Sequence, residues 1–245
     1  MPFPTPDRGT VGVMMRGDPD TFSVPEHALL PAAANVIMAA LDPLLTPERR
    51  ARIDAVIGAR CTAVTAVLDG LVDPHNVSAV LRSADAFGVQ HVHVIEGEEP
   101  FLANARIAQG ADRWVDVLRH ATSAACVRAL RASGHRIFVA SMEGAVAPEA
   151  LAQEPRVAIV FGNEHSGVSQ ELRDLADGTF AIPMCGFVQS LNVSVAAAIT
   201  LFSAMRGRPG DLDSEAAREL RARYVWKSVP QAEAIVDEYL RRLPS

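Results

Sequence analysis

Short apolar runs rich in β-branched residues alternate with helix-length segments through the middle of this chain. Buried strands are expected at residues 62–68, 91–95 and 157–161. A helix is expected between the first two, over residues 77–87, and Gly88 ends it. Strands separated by helices pair in parallel, because each helix returns the chain to the same edge of the sheet. The pattern therefore predicts an α/β fold, with a parallel sheet covered by helices.

The other segments extend this order and add flanking parts. Further strands are expected at residues 114–118, 136–140 and 179–182, and further helices at 47–57, 123–132, from near 169, and 191–205. Residues 211–243 indicate two charged amphipathic helices outside the sheet, and residues 1–30 indicate an irregular arm rich in Pro and Gly. We therefore expect an N-terminal arm and helix over residues 1–45, a catalytic domain over 46–208 and a helical extension over 209–245.

Composition limits the partners and the compartment. A net charge of −6 argues against a protein that wraps nucleic acid over its whole surface, so any RNA contact must be local. The apolar segment 29–41 is shorter than the roughly 20 residues that span a bilayer, and predicts a buried or dimer-facing helix. No secretory signal opens the chain, and 3 cysteines without a C-x-x-C pair indicate neither disulfides nor zinc. We expect a cytoplasmic protein without membrane contact.

Three polar segments follow predicted strands, where parallel sheets bind their ligands. The first covers residues 73–88, where Asn76 can cap the helix. Ser78, Arg82 and Asp85 are spaced three or four residues apart and share one helical face. A capped surface helix with an Arg82–Asp85 pair would explain the segment equally well.

The second polar segment covers residues 161–171. Gly162 and Gly167 would let a ligand approach the backbone, and Glu164 between them needs a polar partner. The segment matches neither a P-loop nor a G-x-G-x-x-G fingerprint, which removes the best support for ATP or NAD binding. A strand-to-helix turn with incidental glycines is the alternative.

The third polar segment covers residues 182–194 and enters a long Ala-rich helix. Ser190, Asn192 and Ser194 cluster where free backbone N–H groups favour an anion such as an RNA phosphate. Capping would explain one of these residues. Three polar residues beside Pro183 and Gly186 are more than a helix cap requires.

Taken together and in this order, the segments resemble the three motifs of the SPOUT superfamily, and closely those of its TrmH-type tRNA and rRNA ribose methyltransferases. The motifs are Asn-x-x-x-x-x-Arg from Asn76, Phe-Gly-x-Glu-x-x-Gly from Phe161, and Ile-Pro-Met with Ser-Leu-Asn-Val-Ser from Ile182. The resemblance spans residues 49–206, and residues 109–117 also resemble a stretch of the tRNA enzymes. It implies a C-terminal trefoil knot, a homodimer, and S-adenosylmethionine bent within the knot loops.

The resemblance also implies a function and a set of site residues. The function is S-adenosylmethionine-dependent methylation of an RNA ribose 2'-hydroxyl, with tRNA (a D-loop guanosine) favoured over rRNA. An rRNA ribose methyltransferase and a non-catalytic RNA-binding relative remain as alternatives. The implied catalytic residues are Asn76, Arg82, Glu164, Ser190 and Asn192, and the implied cofactor-binding residues are Ser141, Gly162, Ile182, Met184, Gly186 and Leu191.

The role of Arg82 follows from its chemistry. A guanidinium has a pKa above about 12 and is a poor base at neutral pH. We therefore expect Arg82 to hold the phosphate beside the target ribose, with Glu164 orienting Asn76 or Arg82.

Two other groups of residues have open or negative interpretations. Basic residues flank the core and would form either a local tRNA-binding patch or solvated helix faces: Arg49, Arg50, Arg52 and Arg60 before it, and Arg218, Arg221, Arg223 and Lys227 after it. His91 and His93 face the same side of a predicted strand, but no third ligand can be placed beside them. We therefore expect no metal site.

Overall fold

The structure, a computed structural model, describes residues 30–95 and 113–243. Its strands are β1 (Val64–Asp69), β2 (His91–Ile95), β3 (Asp116–His120), β4 (Arg136–Ala140), β5 (Val157–Gly162) and β6 (Gly178–Phe180). Its helices are α1 (Ala34–Leu41), α2 (Pro47–Gly58), α3 (Pro74–Phe87), α4 (Ser123–Ala132), α5 (Gln170–Leu175), α6 (Val193–Met205), α7 (Ser214–Ser228) and α8 (Ala232–Arg242). The arm predicted for residues 1–30, apart from Leu30, and the stretch 109–112 lie outside these ranges.

The six strands form one parallel sheet in the order β3-β2-β1-β5-β4-β6. This confirms the predicted α/β class. Every residue of β1 is buried, as expected for a central strand covered on both faces. The edge strand β6 is shorter than predicted, because beyond Phe180 the backbone pairs with Val146 of a loop instead of with β4. The trefoil knot stays a prediction.

Helices cover both faces of the sheet. On one face α3 and α6 bury Val80, Leu81 and Leu201 against the strands. On the other face α4 and α5 bury Leu130 and Leu172. Because all strands run in one direction, their carboxyl ends and the loops that follow them lie along the same edge of the sheet.

The terminal helices form a second apolar core. Ile37 and Leu41 of α1, Ile53 of α2, and Leu220 and Val225 of α7 are buried together there. Helix α2, which we expected within the catalytic domain, therefore packs with the helices of both chain ends. The three-part division stays a prediction. Across residues 30–95 and 113–243, no helix is both long and apolar enough to span a membrane.

Several flanking basic residues make contacts within the chain. Arg221 lies 2.9 Å from Asp42 and 2.7 Å from Asp54. Arg60 is fully buried, with a relative exposure of 0%. Both interpretations of this residue are therefore wrong, because a buried guanidinium can neither contact RNA nor belong to a solvated helix face.

Candidate active site

The three polar segments meet at the carboxyl edge of the sheet. The Asn76 side chain donates a hydrogen bond from Nδ2 to Glu164 Oε1 at 2.6 Å. The Asn192 side chain donates from Nδ2 to Asn76 Oδ1 at 3.1 Å. Each segment contributes one residue to this chain of hydrogen bonds, and Asn76 is its centre. Glu164, expected to need a polar partner, has one.

Asn76 is available for these contacts because another residue caps helix α3. Asp73 is the N-cap, and its Oδ1 accepts a hydrogen bond from the His75 backbone N–H at 2.9 Å. Pro74 follows at the first helical position, where its missing N–H costs nothing. The prediction that Asn76 caps the helix is therefore wrong. Its side chain lies in the first turn and is 8% exposed.

Asn192 has two roles at the start of α6. It is the N-cap, and its Oδ1 accepts hydrogen bonds from the Ser194 backbone N–H at 2.8 Å and the Ser194 hydroxyl at 2.6 Å. Its amide nitrogen is left to reach Asn76. The helix begins two residues later than the predicted residue 191, because the capping residue itself is non-helical.

The loop after β5 is held in a tight turn. Asn163 Oδ1 accepts a hydrogen bond from the His165 backbone N–H at 2.8 Å, and its Nδ2 donates to the Gly70 carbonyl at 2.8 Å. A Cβ atom on Gly162 would lie 2.2 Å from the carbonyl carbon of Gly167. Glycine is therefore required at position 162, because the backbone of Gly167 leaves no room for a side chain there. The glycine at this position is not incidental. Sequence reasoning missed Asn163, although Asn commonly stabilises such turns.

A further loop, between β4 and β5, contacts the segment that leads to α6. The Ser141 N–H donates to the Phe180 carbonyl at 2.9 Å, and the Ala181 N–H donates to the Val146 carbonyl at 3.0 Å. A Cβ atom on Gly144 would lie 2.0 Å from the carbonyl carbon of Phe180. Gly144 was not predicted either, although a glycine shortly after a strand can indicate a close backbone approach.

The predicted cofactor residues of the third segment are exposed or half-buried. Met184 is 40% exposed, and Phe187 beside it is fully exposed. Ile182 and Leu191 are half-buried, whereas Gly186 is exposed. The segment thus presents exposed apolar side chains shortly before Asn192 in the chain, as a site for an organic ligand or a partner surface would.

Arg82 and Ser190 are both exposed. Among the hydrogen bonds and ion pairs between residues 30–95 and 113–243, neither side chain has a partner. The predicted Arg82–Asp85 pair is wrong, because Asp85 pairs with Arg60 instead, at 2.5 Å. The structure thus brings together Asn76, Glu164 and Asn192 and leaves the Arg82 guanidinium available for a ligand.

A buried group of His93, His120 and Cys126 has metal-ligand chemistry. Burial holds the pKa of His93 well below its usual range, lowers that of His120 to about 4 and raises that of Cys126 to about 12. His93 Nδ1 and His120 Nε2 are 2.8 Å apart, a hydrogen-bond distance. Tetrahedral zinc, with Zn–N bonds of about 2.0–2.1 Å, holds two nitrogens roughly 3.3 Å apart. The absence of a metal site stays a prediction.

A cavity of about 680 Å³ lies away from the candidate site. Gln90, His91, Asp116 and Arg156 line it, at or just before the first residues of their strands. These positions mark the amino-terminal edge of the sheet, opposite the edge at which parallel sheets bind their ligands. The cavity is therefore separate from the three converging segments.

The chain is similar in sequence and in fold to known proteins. The profile of the SpoU rRNA Methylase family matches residues 63–202. The tRNA (guanosine(18)-2'-O)-methyltransferase of Escherichia coli (strain K12) is 38% identical over 165 residues, which cover 67% of this chain and 72% of that protein. The solved A. aeolicus TrmH/SpoU tRNA modifying enzyme has a TM-score of 0.65 and 29% identity, over 75% of this chain and 98% of that one. The SpoU methyltransferase AviRb from Streptomyces viridochromogenes, solved with AdoMet, has a TM-score of 0.53 and 26% identity, over 62% and 60% of the two chains.

Proposed function

The chain belongs to the SpoU rRNA Methylase family, and from this premise we propose that it methylates a ribose 2'-hydroxyl of tRNA with S-adenosylmethionine as donor. One observation carries the proposal. Asn76, Glu164 and Asn192 come from three separate segments and are joined by hydrogen bonds of 2.6 and 3.1 Å at the carboxyl edge of the sheet. Arg82, on the same helix as Asn76, is exposed, and its guanidinium can bind an anionic substrate.

The loops around this edge fit S-adenosylmethionine. A close backbone approach at Gly144 brings the loop after β4 against Phe180 and Ala181, which lead to the segment that carries Met184, and one at Gly162 folds the loop after β5 tightly on itself. An adenosyl group at these loops would find backbone amide groups and the exposed apolar side chain of Met184. The residues that would hold it are Ser141, Gly162, Ile182, Met184, Gly186 and Leu191. When bound, the donor supplies a methyl group on a positively charged sulfur.

The residues of the chain orient the acceptor and its proton. Arg82 holds the phosphate beside the target ribose, because its guanidinium donates paired hydrogen bonds to phosphate oxygens and stays protonated. Ser190 and Asn192 contact the same phosphate or the ribose. Glu164 fixes the Asn76 amide, which in turn accepts from Asn192. Holding both reactants in line is worth roughly 7–11 kcal/mol in well-oriented systems.

The substrate we propose is tRNA, at a guanosine. The Escherichia coli relative, at 38% identity, is named for a guanosine at position 18 of tRNA, and the solved A. aeolicus neighbour is named as a tRNA modifying enzyme. An rRNA ribose remains the second candidate, since the family as a whole is named for rRNA. Methyl transfer to tRNA and rRNA transcripts side by side separates the two substrates.

We also propose a homodimer in the cytoplasm. Val195, Ile199 and Phe202 of α6 follow helical spacing and are 45%, 40% and 56% exposed. An apolar stripe of this kind on a soluble protein indicates an interface. Cys61 and Cys126 are buried free thiols and Cys185 is an exposed one, as expected in a reducing compartment.

The test is methyl transfer by an Arg82→Ala variant. We expect turnover to fall by at least about 100-fold, because an interaction with the reacting nucleotide is lost, while the Kd for S-adenosylmethionine changes less than about threefold. Radiolabelled methyl incorporation and calorimetry measure the two quantities. Arg131→Ala, on α4 across the sheet, is the matched control and should keep wild-type turnover. Wild-type turnover in Arg82→Ala would refute the proposed role of Arg82.

A further inference from the structure

We propose that Arg60 and Tyr224 are positioning residues, which set the place of Arg82 by anchoring the C-terminal end of α3 to helix α7. The proposal rests on the function of Arg82 given above. It assigns helix α7 of the C-terminal extension a role in turnover that does not require it to touch RNA.

Arg60 is a buried charge that requires partners. Its side chain is 0% exposed, and a guanidinium in such a place is costly unless it is paired and hydrogen-bonded. Nη2 donates to Asp85 Oδ1 at 2.5 Å, and Nε donates to the Tyr224 hydroxyl at 3.0 Å. Arg60 therefore connects α3, through Asp85, to α7, through Tyr224.

Tyr224 extends this connection to the backbone before β3. Its hydroxyl accepts from Arg60 and donates to the Trp114 carbonyl at 2.5 Å. Burial raises the pKa of Tyr224 to about 12, so the hydroxyl keeps the proton that it donates. The Tyr224 ring meets the Trp114 ring edge-on, with centroids 5.1 Å apart. Both the hydroxyl and the ring of Tyr224 are therefore held in place.

Helix α7 is itself anchored to the sheet beside Tyr224. Arg223 makes two hydrogen bonds to the Asp116 carboxylate, at 2.6 and 3.0 Å. Burial opposes ionisation of Asp116, but these hydrogen bonds and the charge of Arg223 outweigh it and lower the Asp116 pKa. The α7 end of the Arg60 connection is therefore fixed to the first residue of β3.

Helix α3 is consequently anchored at both ends. Asn76 ties its first turn to the site loops, and Asp85 ties its last turn to Arg60. Arg82 lies between the two anchors, three residues before Asp85 and less than one turn away. Side chains on a helix lean toward its N-terminus, so the Arg82 side chain extends from its Cα toward the Asn76 end. A rotation or shift of the last turn of α3 would move the guanidinium directly.

A Tyr224→Phe variant tests the proposal, because it removes the hydroxyl and keeps the ring. We expect kcat for tRNA methylation to fall roughly 10- to 100-fold, the scale of a displacement of about 1 Å at a reacting group. The Kd for S-adenosylmethionine and the number of molecules bound per protomer should stay within twofold of wild type. A loss of folded protein would lower the bound number together with kcat, and would overturn the proposal.

Two further measurements complete the test. A crystal structure of Tyr224→Phe should show the last turn of α3 displaced relative to β1, and an unmoved α3 or an unchanged kcat would overturn the proposal. Asp85→Asn, which keeps an acceptor oxygen for Arg60 but loses the charge, should lower kcat in the same direction. Glu215→Ala, at an exposed position on the same helix, should leave kcat and the tRNA KM unchanged. An unchanged Tyr224→Phe refutes the positioning role alone, whereas an unchanged Arg82→Ala refutes the role of Arg82 on which it rests, and an absence of methyl transfer by the wild type refutes the proposed function.

Discussion

Buried polar side chains are the residues whose partners matter most in this protein. Asn76, His93, His120 and Arg60 are each at most 8% exposed and each hydrogen-bonded. A buried polar group that loses its partner costs about 1–3 kcal/mol, and more if it is charged. Such residues therefore hold particular elements of the fold together, and the two histidines among them also respond to changes in protonation.

At the residue scale we predict that stability falls in mild acid because of the buried histidines. Unfolded histidine takes up a proton near its ordinary pKa of 6.5, whereas folded His120 takes one up only at about pH 4. Protonation therefore favours the unfolded chain as the pH falls from about 6.5 to 4, by an amount on the order of 1–3 kcal/mol. Urea unfolding across this range measures the slope.

A His120→Asn variant should show a shallower pH dependence than the wild type over the same interval. His75→Asn, at an exposed position on α3, is the matched control. Equal slopes for His120→Asn and the wild type would show that His120 contributes nothing to the acid sensitivity.

At the element scale, the candidate site includes loops in which backbone segments approach one another closely. The turn after β5 returns on itself between Asn163 and Gly167, whose backbones form an isolated bridge. The loop after β4 lies against Phe180 and Ala181 in the same way. Such approaches leave no room for a side chain, so glycine is required at the contact points.

We predict that Gly162→Ala destabilises the protein by more than about 2 kcal/mol, because the new methyl group would meet backbone atoms that cannot rotate away. Thermal and urea unfolding measure the change. Gly186→Ala is the matched control, since a Cβ there meets nothing within 4 Å, and it should cost less than about 0.5 kcal/mol. Equal effects of the two substitutions would contradict the steric explanation.

At the scale of the whole molecule, one apolar surface is buried within the chain and another is exposed. The apolar faces of α1, α2, α7 and α8 are buried against each other in the second core. The outer stripe of α6 is exposed in the single chain, although α6 begins within the candidate site at Asn192. A dimer formed through this stripe would place an interface close to Asn192 of the candidate site.

We predict that Ile199→Glu converts the protein from dimer to monomer, because a charge in an apolar interface loses its hydration without gaining a partner. Light scattering after size-exclusion chromatography measures the mass. Leu240→Glu, at a similarly exposed position on α8, should leave the dimer intact. A wild-type monomer would rule out the proposed homodimer, and an Ile199→Glu dimer would rule out this stripe as its interface.

The sequence by itself determined the strand–helix alternation, the parallel sheet and the three segments that meet at its edge. These features depend on periodicity and turn residues within short windows, so they can be derived locally. Only the tertiary structure decided that the Asn76 side chain links Glu164 to Asn192 instead of capping a helix. It also decided that Arg60 is buried and paired with Asp85 of α3. The decisive partners lie 88, 116 and 164 residues away in the chain, at Glu164, Asn192 and Tyr224. Local patterns carry no information about such contacts, because the packing of whole helices on the sheet brings those partners together.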